Sequence, residues 1–112
     1  MSGTPRRRVI LDCDPGHDDA MAILLAASSP ALELVAITTV AGNQTLDKTT
    51  LNARRVCSLA GIDAVPIAAG CDRPMVRALD VADEIHGPSG LDGPTFGEPT
   101  VALDPRHAVD LI

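Results

Sequence analysis

Aromatic side chains are all but missing from this chain: Phe96 stands alone, with no Trp and no Tyr. A pocket that stacks a flat ring ordinarily supplies aromatic side chains. The surface recognising any such ring therefore lies mostly outside this chain. Long apolar runs are missing too. The longest, Ala20 to Ala27, falls well short of the roughly 20 residues that span a bilayer, and no charged-then-apolar leader precedes the first strand. Cysteine is sparse and odd in number. Cys13, Cys57 and Cys71 form no CxxC pair and no short metal spacing, the pattern of a reduced intracellular protein rather than a disulfide framework. Positive charge is short as well: a formal net charge of −6 argues against attraction to nucleic acid or an anionic membrane. The one basic cluster, Arg6-Arg7-Arg8, reads as a solvated leader. A cytoplasmic protein with no nucleic-acid and no membrane partner is expected.

What is present is globular. At 112 residues, 46% hydrophobic and 21% charged, the chain holds at most one domain with a modest core. Arg8 to Cys13 is an apolar run that reads as a strand buried on both faces. Pro15-Gly16 breaks it. From His17 to Ser28, Ala20, Ile23, Leu24 and Ala27 recur at helical spacing, and Ser29-Pro30 ends that helix. Leu32 to Val40 is rich in β-branched residues and reads as a second strand. Thr45 is a fitting N-cap for a helix running to about Ala60, with Gly61 as its C-terminal stop. Val65-Pro66-Ile67-Ala68 reads as a short third strand. The β-α-β-α-β order predicts an α/β fold, the start of an open parallel sheet with right-handed crossovers.

Glycine and proline then dominate residues 70–100, a long loop region of the kind that usually carries function. Asp104-Pro105 reads as the opening of a further helix, with Asp as N-cap and Pro in the first turn. That helix stops within its second turn at Leu111-Ile112. Three apolar strands with two complete helices leave faces and edges uncovered. Residues 1–112 are therefore expected to be the N-terminal portion of a single larger domain.

One short stretch concentrates the chemistry. Asp12-Cys13-Asp14-Pro15-Gly16-His17-Asp18-Asp19 places four carboxylates within eight residues. Their mutual repulsion is tolerable if a cation sits among them or if some remain protonated. Asp12 and Asp14 close the first strand, and Asp18 and Asp19 open the first helix. Asn43 follows the second strand, and the loop containing His86 follows the third. All of them fall at the carboxyl edge of the predicted sheet, where parallel sheets bind ligands. Hard oxygen ligands select calcium or magnesium over zinc or copper. A water beside such a cation and a carboxylate is a ready hydrolytic nucleophile. Helix-dipole complementation explains one or two of these acids, not four.

This stretch resembles the amino-terminal signature of the inosine-uridine nucleoside hydrolases. Ala36-Ile37-Thr38-Thr39-Val40-Ala41-Gly42-Asn43 is similar to their second strand and following turn, and His86-Gly87-Pro88-Ser89-Gly90-Leu91-Asp92-Gly93 to their third block. The resemblance implies hydrolysis of the N-glycosidic bond of ribonucleosides to ribose and free base, with one bound calcium, in the catabolism of purine or pyrimidine nucleosides. Carried over by position, Asp14 would bind calcium and act as general base on its water, and Asp19 would be a second calcium ligand. Asp18 would meet a ribose hydroxyl, Asn43 the ribosyl group, and Asp12 would support them from behind. Anions beside the anomeric carbon also stabilise the sugar cation that develops there. Family members are longer, and commonly homodimers or homotetramers. Their remaining calcium ligands and leaving-group acid lie outside this chain, so the chain alone is expected to be inactive.

For His86 two readings stay open: a substrate-contacting residue on a closing loop, or a histidine bonded to nearby backbone. His17 stands where family members commonly carry an apolar residue and reads as structural, His107 as a surface residue. Cys13 reads as core, and Asp92 as turn chemistry. Two rival functions fit part of the pattern. A haloacid dehalogenase-like phosphatase also places Asp-x-Asp after its first strand, but Gly16 stands where it would carry Thr or Val. A catalytically dead binding or interaction module would keep the scaffold without the chemistry.

Overall fold

The computed structural model describes residues 5–82, 87–92 and 98–112. Its elements run β1 (Arg7–Cys13), α1 (His17–Ser28), β2 (Leu32–Thr39), α2 (Leu46–Ala60), β3 (Ile67–Ala69) and α3 (Ala108–Leu111). The three strands form one parallel sheet in the order β1-β2-β3. This is the predicted α/β architecture. Among the described residues, no helix is long and apolar enough to cross a membrane.

β1 departs from the expectation of burial on both faces. Its side chains alternate: Val9, Leu11 and Cys13 join the core cluster, while Arg8, Ile10 and Asp12 are exposed. The reason is that β1 lies at an edge of the sheet and is covered on one side. α1 and α2 pack on each other and both on β2, so they share one face of the sheet. β2 is the central strand, and its residues Ala36 to Thr39 are all buried. Register along β1 and β2 slips once, between Val9 and Ile10, leaving Val35 as the extra residue of a bulge. Beyond it Asp12 pairs with Thr38, and Cys13 with Thr39.

Ile23, Ile37 and Ile67 have no exposed surface and come from α1, β2 and β3. They are the junction of helix layer and sheet, where truncating a large aliphatic side chain to Ala costs about 2–5 kcal/mol. The end of β2 is pinned to α2 by hydroxyls. Thr39 Oγ1 and Thr50 Oγ1 lie 2.7 Å apart, and Thr49 Oγ1 donates to the Val40 carbonyl at 3.0 Å. α2 stops at Gly61, whose φ of 72° only glycine adopts at low cost. The Ile62 N–H then reaches back to the Cys57 carbonyl at 2.8 Å.

Two boundaries differ from the expected ones, and one cap is placed as expected without its side-chain bond. Thr45 occupies the N-cap of α2 but makes no side-chain capping bond. β3 begins at Ile67, two residues late, because Pro66 has no N–H and contributes only its carbonyl, to Ile37 N–H at 2.9 Å. Asp104-Pro105 does not start the last helix. The Asp104 N–H is committed to the Ile67 carbonyl at 2.7 Å in a bridge beside β3. α3 begins instead at Ala108, capped by His107, whose Nδ1 accepts from the Val109 N–H at 3.1 Å. His107 is exposed, as expected of a surface residue.

Candidate active site

The site is built on the turn between β1 and α1. Pro15-Gly16 ends the strand, and the Gly16 carbonyl takes the first helical N–H, from Ala20, at 3.0 Å. Gly16 offers no side-chain cap, so the acids of the first turn, Asp18 and Asp19, complement the helix dipole. Asp19 does more. Its Oδ2 accepts the Asp14 N–H at 3.1 Å, closing the turn on itself.

Asp14 is also tied to the turn after β2. The Asn43 N–H donates to Asp14 Oδ2 at 2.8 Å, and Asn43 Nδ2 donates to the Asp14 carbonyl at 2.9 Å. Gly42 makes that approach possible: a Cβ there would sit 2.3 Å from Asp14 Oδ2. The structure thus brings Asp14, Asp19 and Asn43 together at the carboxyl edge of the sheet.

Burial pushes the Asp19 carboxyl above the usual range. The Asp14 N–H pulls the other way, while the Asp14 carboxylate and the charges of Asp14 and Asp18 add to the rise. A carboxyl held this way is stabilised by a proton or a cation.

The other two acids are placed differently. Asp12 is exposed on β1 and accepts from Thr38 Oγ1 at 2.7 Å, across the strand pair. Asp18 is exposed at the start of α1. Among the described residues, no group of three or more His, Cys, Asp or Glu side chains is arranged to hold a metal. The four acids therefore do not converge on one point. The donor set that fits a hard cation is the adjacent pair Asp14 and Asp19, two carboxylates where calcium takes six to eight oxygens.

The block after β3 reaches the same edge. Ser89 N–H and Oγ donate to Asp92 Oδ1, which lowers the Asp92 carboxyl below its usual range. This is the expected turn chemistry. His17 Nε2 lies 2.7 Å from the Asp92 carbonyl, a structural tie from α1 to the block. Cys13 is 5% exposed and core, with its thiol pushed up to about 12, by burial first and then by the carboxylates of Asp19, Asp12 and Asp14. His86 and Phe96 lie outside the described residues.

Sequence reasoning missed Asn52. It is fully buried in α2 and donates from Nδ2 to the carbonyls of Pro15, at 3.1 Å, and Ser89, at 2.8 Å. The signal was present, since a mid-helix Asn is unfavourable unless its amide is used. Thr38 was missed as the partner of Asp12.

Residues 9–112 match the family described as inosine-uridine preferring nucleoside hydrolase. The chain is 57% identical over 107 residues to an inosine-uridine preferring nucleoside hydrolase of Crithidia fasciculata, covering 95% of this chain and 34% of that protein. It is 54% identical over 107 residues to the pyrimidine-specific ribonucleoside hydrolase RihB of Escherichia coli, covering 96% and 34%. A solved purine-preferring ribonucleoside hydrolase from Gardnerella vaginalis superposes with a TM-score of 0.87 at 29% identity, covering 94% of this chain and 34% of that one. The chain thus spans about a third of the length of the relatives it matches. The phosphatase reading finds no support among them. On sequence and on fold, the chain belongs to the inosine-uridine preferring nucleoside hydrolase family.

Proposed function

We propose that this chain supplies the calcium-and-ribose half of a site that hydrolyses the N-glycosidic bond of ribonucleosides. The observation that carries the reading is the mutual hold of Asp14, Asp19 and Asn43 at the carboxyl edge of the sheet. Asp14 and Asp19 are the residues that would hold calcium, a Lewis acid that when bound lowers the pKa of a coordinated water. Asp14 is placed to take the proton of the attacking water. Its other contacts, from Asn43 and through its own N–H to Asp19, fix the carboxylate so that little reorganisation accompanies the step.

Asp18 is exposed beside the pair and accepts a hydrogen bond from a ribose hydroxyl. Asn43 commits Nδ2 to Asp14 and offers Oδ1 to the sugar. Asp12 acts behind them through Thr38, contributing negative charge as the sugar becomes cationic. The reading leaves base preference open, because the relatives range from pyrimidine-specific to purine-preferring.

With two protein ligands, the 112-residue chain binds calcium weakly and does not release base on its own. Saturation-transfer NMR with inosine and uridine in calcium tests the reading. Transfer to ribose protons, weakened in Asp18→Asn, is expected. Transfer confined to base protons, or none, overturns it.

A further inference from the structure

Lys48 and Asn52, four residues apart and therefore in line along α2, and Gln44, just before the Thr45 N-cap, all meet the block after β3. Each points an N–H group at a carbonyl of that block. Gln44 Nε2 lies 3.5 Å from the Gly87 carbonyl, Lys48 Nζ 2.7 Å from that of Pro88, and Asn52 Nδ2 2.8 Å from that of Ser89. His17 Nε2 meets the carbonyl of Asp92. Asn52 differs from the rest because its Nδ2 also donates to the Pro15 carbonyl. Its two amide hydrogens thus join two segments that are far apart in sequence.

The orientation of this carboxamide follows from its partners. Reversing it would face Oδ1 toward two carbonyl oxygens. As placed, Oδ1 is buried and finds no hydrogen-bond partner among the described residues. A buried acceptor without a partner is unfavourable, and an apolar residue of similar size would fill the space without that cost. The two donors are what the position uses. Gly90 closes the arrangement: at φ 85°, with a Cβ that would lie 2.9 Å from Asn52 Nδ2, only glycine fits there without displacing the amide.

Asn52 also completes the hold on the acidic turn. The carbonyls of Asp14, Pro15 and Gly16 are taken in succession by Asn43 Nδ2, Asn52 Nδ2 and the Ala20 N–H. Pro15 has no N–H of its own, so its carbonyl is the one backbone group through which that residue can be held by a hydrogen bond.

We infer that Asn52 is a positioning residue, fastening the Asp14–Pro15 turn and the Gly87–Asp92 block to α2 as one coupled unit. Its bearing on catalysis rests on the reading of Asp14 proposed above, but the coupling itself is measurable without calcium, substrate or turnover.

Amide hydrogen exchange on the 112-residue protein tests it. The reporters are Asp14 and Asn43 for the turn, Ser89, Gly90 and Leu91 for the block, and Ile37 for the core. Asn52→Asp keeps the shape and replaces both donors with an oxygen. It is expected to speed exchange about tenfold or more at turn and block together, with Ile37 within about twofold of the parent. Lys48→Met, which removes only the Pro88 tether, speeds the block alone. A role confined to folding of the block would not move Asp14 or Asn43.

If Asn52→Asp exposes Ile37 as well, Gly90→Ala takes its place, because the added Cβ displaces the amide and should speed both sets. Turn amides unchanged in whichever variant keeps Ile37 protected overturn the inference. Coupled exchange in a protein whose amides show no calcium-dependent shift supports the coupling and overturns only the functional reading.

Discussion

Asn43 holds Asp14 from two directions, with its backbone N–H on the carboxylate at 2.8 Å and its side-chain amide on the carbonyl at 2.9 Å. Only the second bond depends on the side chain. Asn43→Ala should therefore leave the carboxylate bonded while freeing the carbonyl, at a cost of about 1–2 kcal/mol in urea unfolding. Asn43→Asp should cost more, because it sets a further anion against Asp14. Equal stability of parent and Asn43→Ala would contradict this hold.

Two glycines separate crowding from backbone strain. At Gly42 the obstacle is contact, with the Asp14 carboxylate 2.3 Å from an added Cβ. Gly42→Ala should destabilise by about 1–3 kcal/mol and shift the Asp14 and Asn43 amide resonances. At Gly61 no atom lies within 4 Å, but φ is 72°. Gly61→Ala should cost about 1 kcal/mol and leave those resonances in place. Shifts at Asp14 in both variants would argue against the distinction.

Arg106 donates to Asp104 from its backbone N–H at 2.9 Å and from its guanidinium at 3.0 and 2.8 Å. The guanidinium bonds, then the backbone N–H, hold the Asp104 carboxyl down at about 2, against an ordinary 3.8. A depressed carboxyl stabilises the fold above its unfolded value and stops doing so as pH falls through its folded one. Arg106→Ala should thus be less stable than the parent at about pH 5, with the difference shrinking toward zero at about pH 2. A difference independent of pH over that range would rule out this linkage.

Thiol accessibility reports on the turn from beneath. Burial pushes Cys57 up to about 11 and Cys13 to about 12, whereas Cys71 is exposed. Iodoacetamide at about pH 8 should modify Cys71 in the folded protein and all three cysteines after unfolding, since the thiolate is the reactive form. Modification of Cys13 in the folded state would show that the β1–α1 junction opens.

Strand and helix order was legible because period and punctuation agree: His17–Ser28 begins after Pro15-Gly16 and ends at Ser29-Pro30. The start of α3 was not. Asp104 has the sequence context of an N-cap, yet a β-bridge takes its N–H first, a tertiary contact that local pattern does not encode. The apolar run of β1 likewise reads as buried on both faces, although its exposure depends on which face the helices cover. In the site, the cluster of acids was plain, but its division was not. The hydroxyl of Thr38 draws Asp12 aside, while Asp14 and Asp19 meet through a backbone N–H. Asn52 stayed hidden because its two acceptors are backbone carbonyls, and any residue at Pro15 or Ser89 would supply those.

Asp14 and Asp19 are together proposed to hold calcium. Amide NMR during calcium titration of the 112-residue protein tests it most directly. Weak, saturable shifts are expected at Asp14, Asp19 and Asn43, reversed by a chelator and abolished in Asp14→Asn and in Asp19→Asn. No shift at these amides, or shifts that persist in both variants, would contradict it.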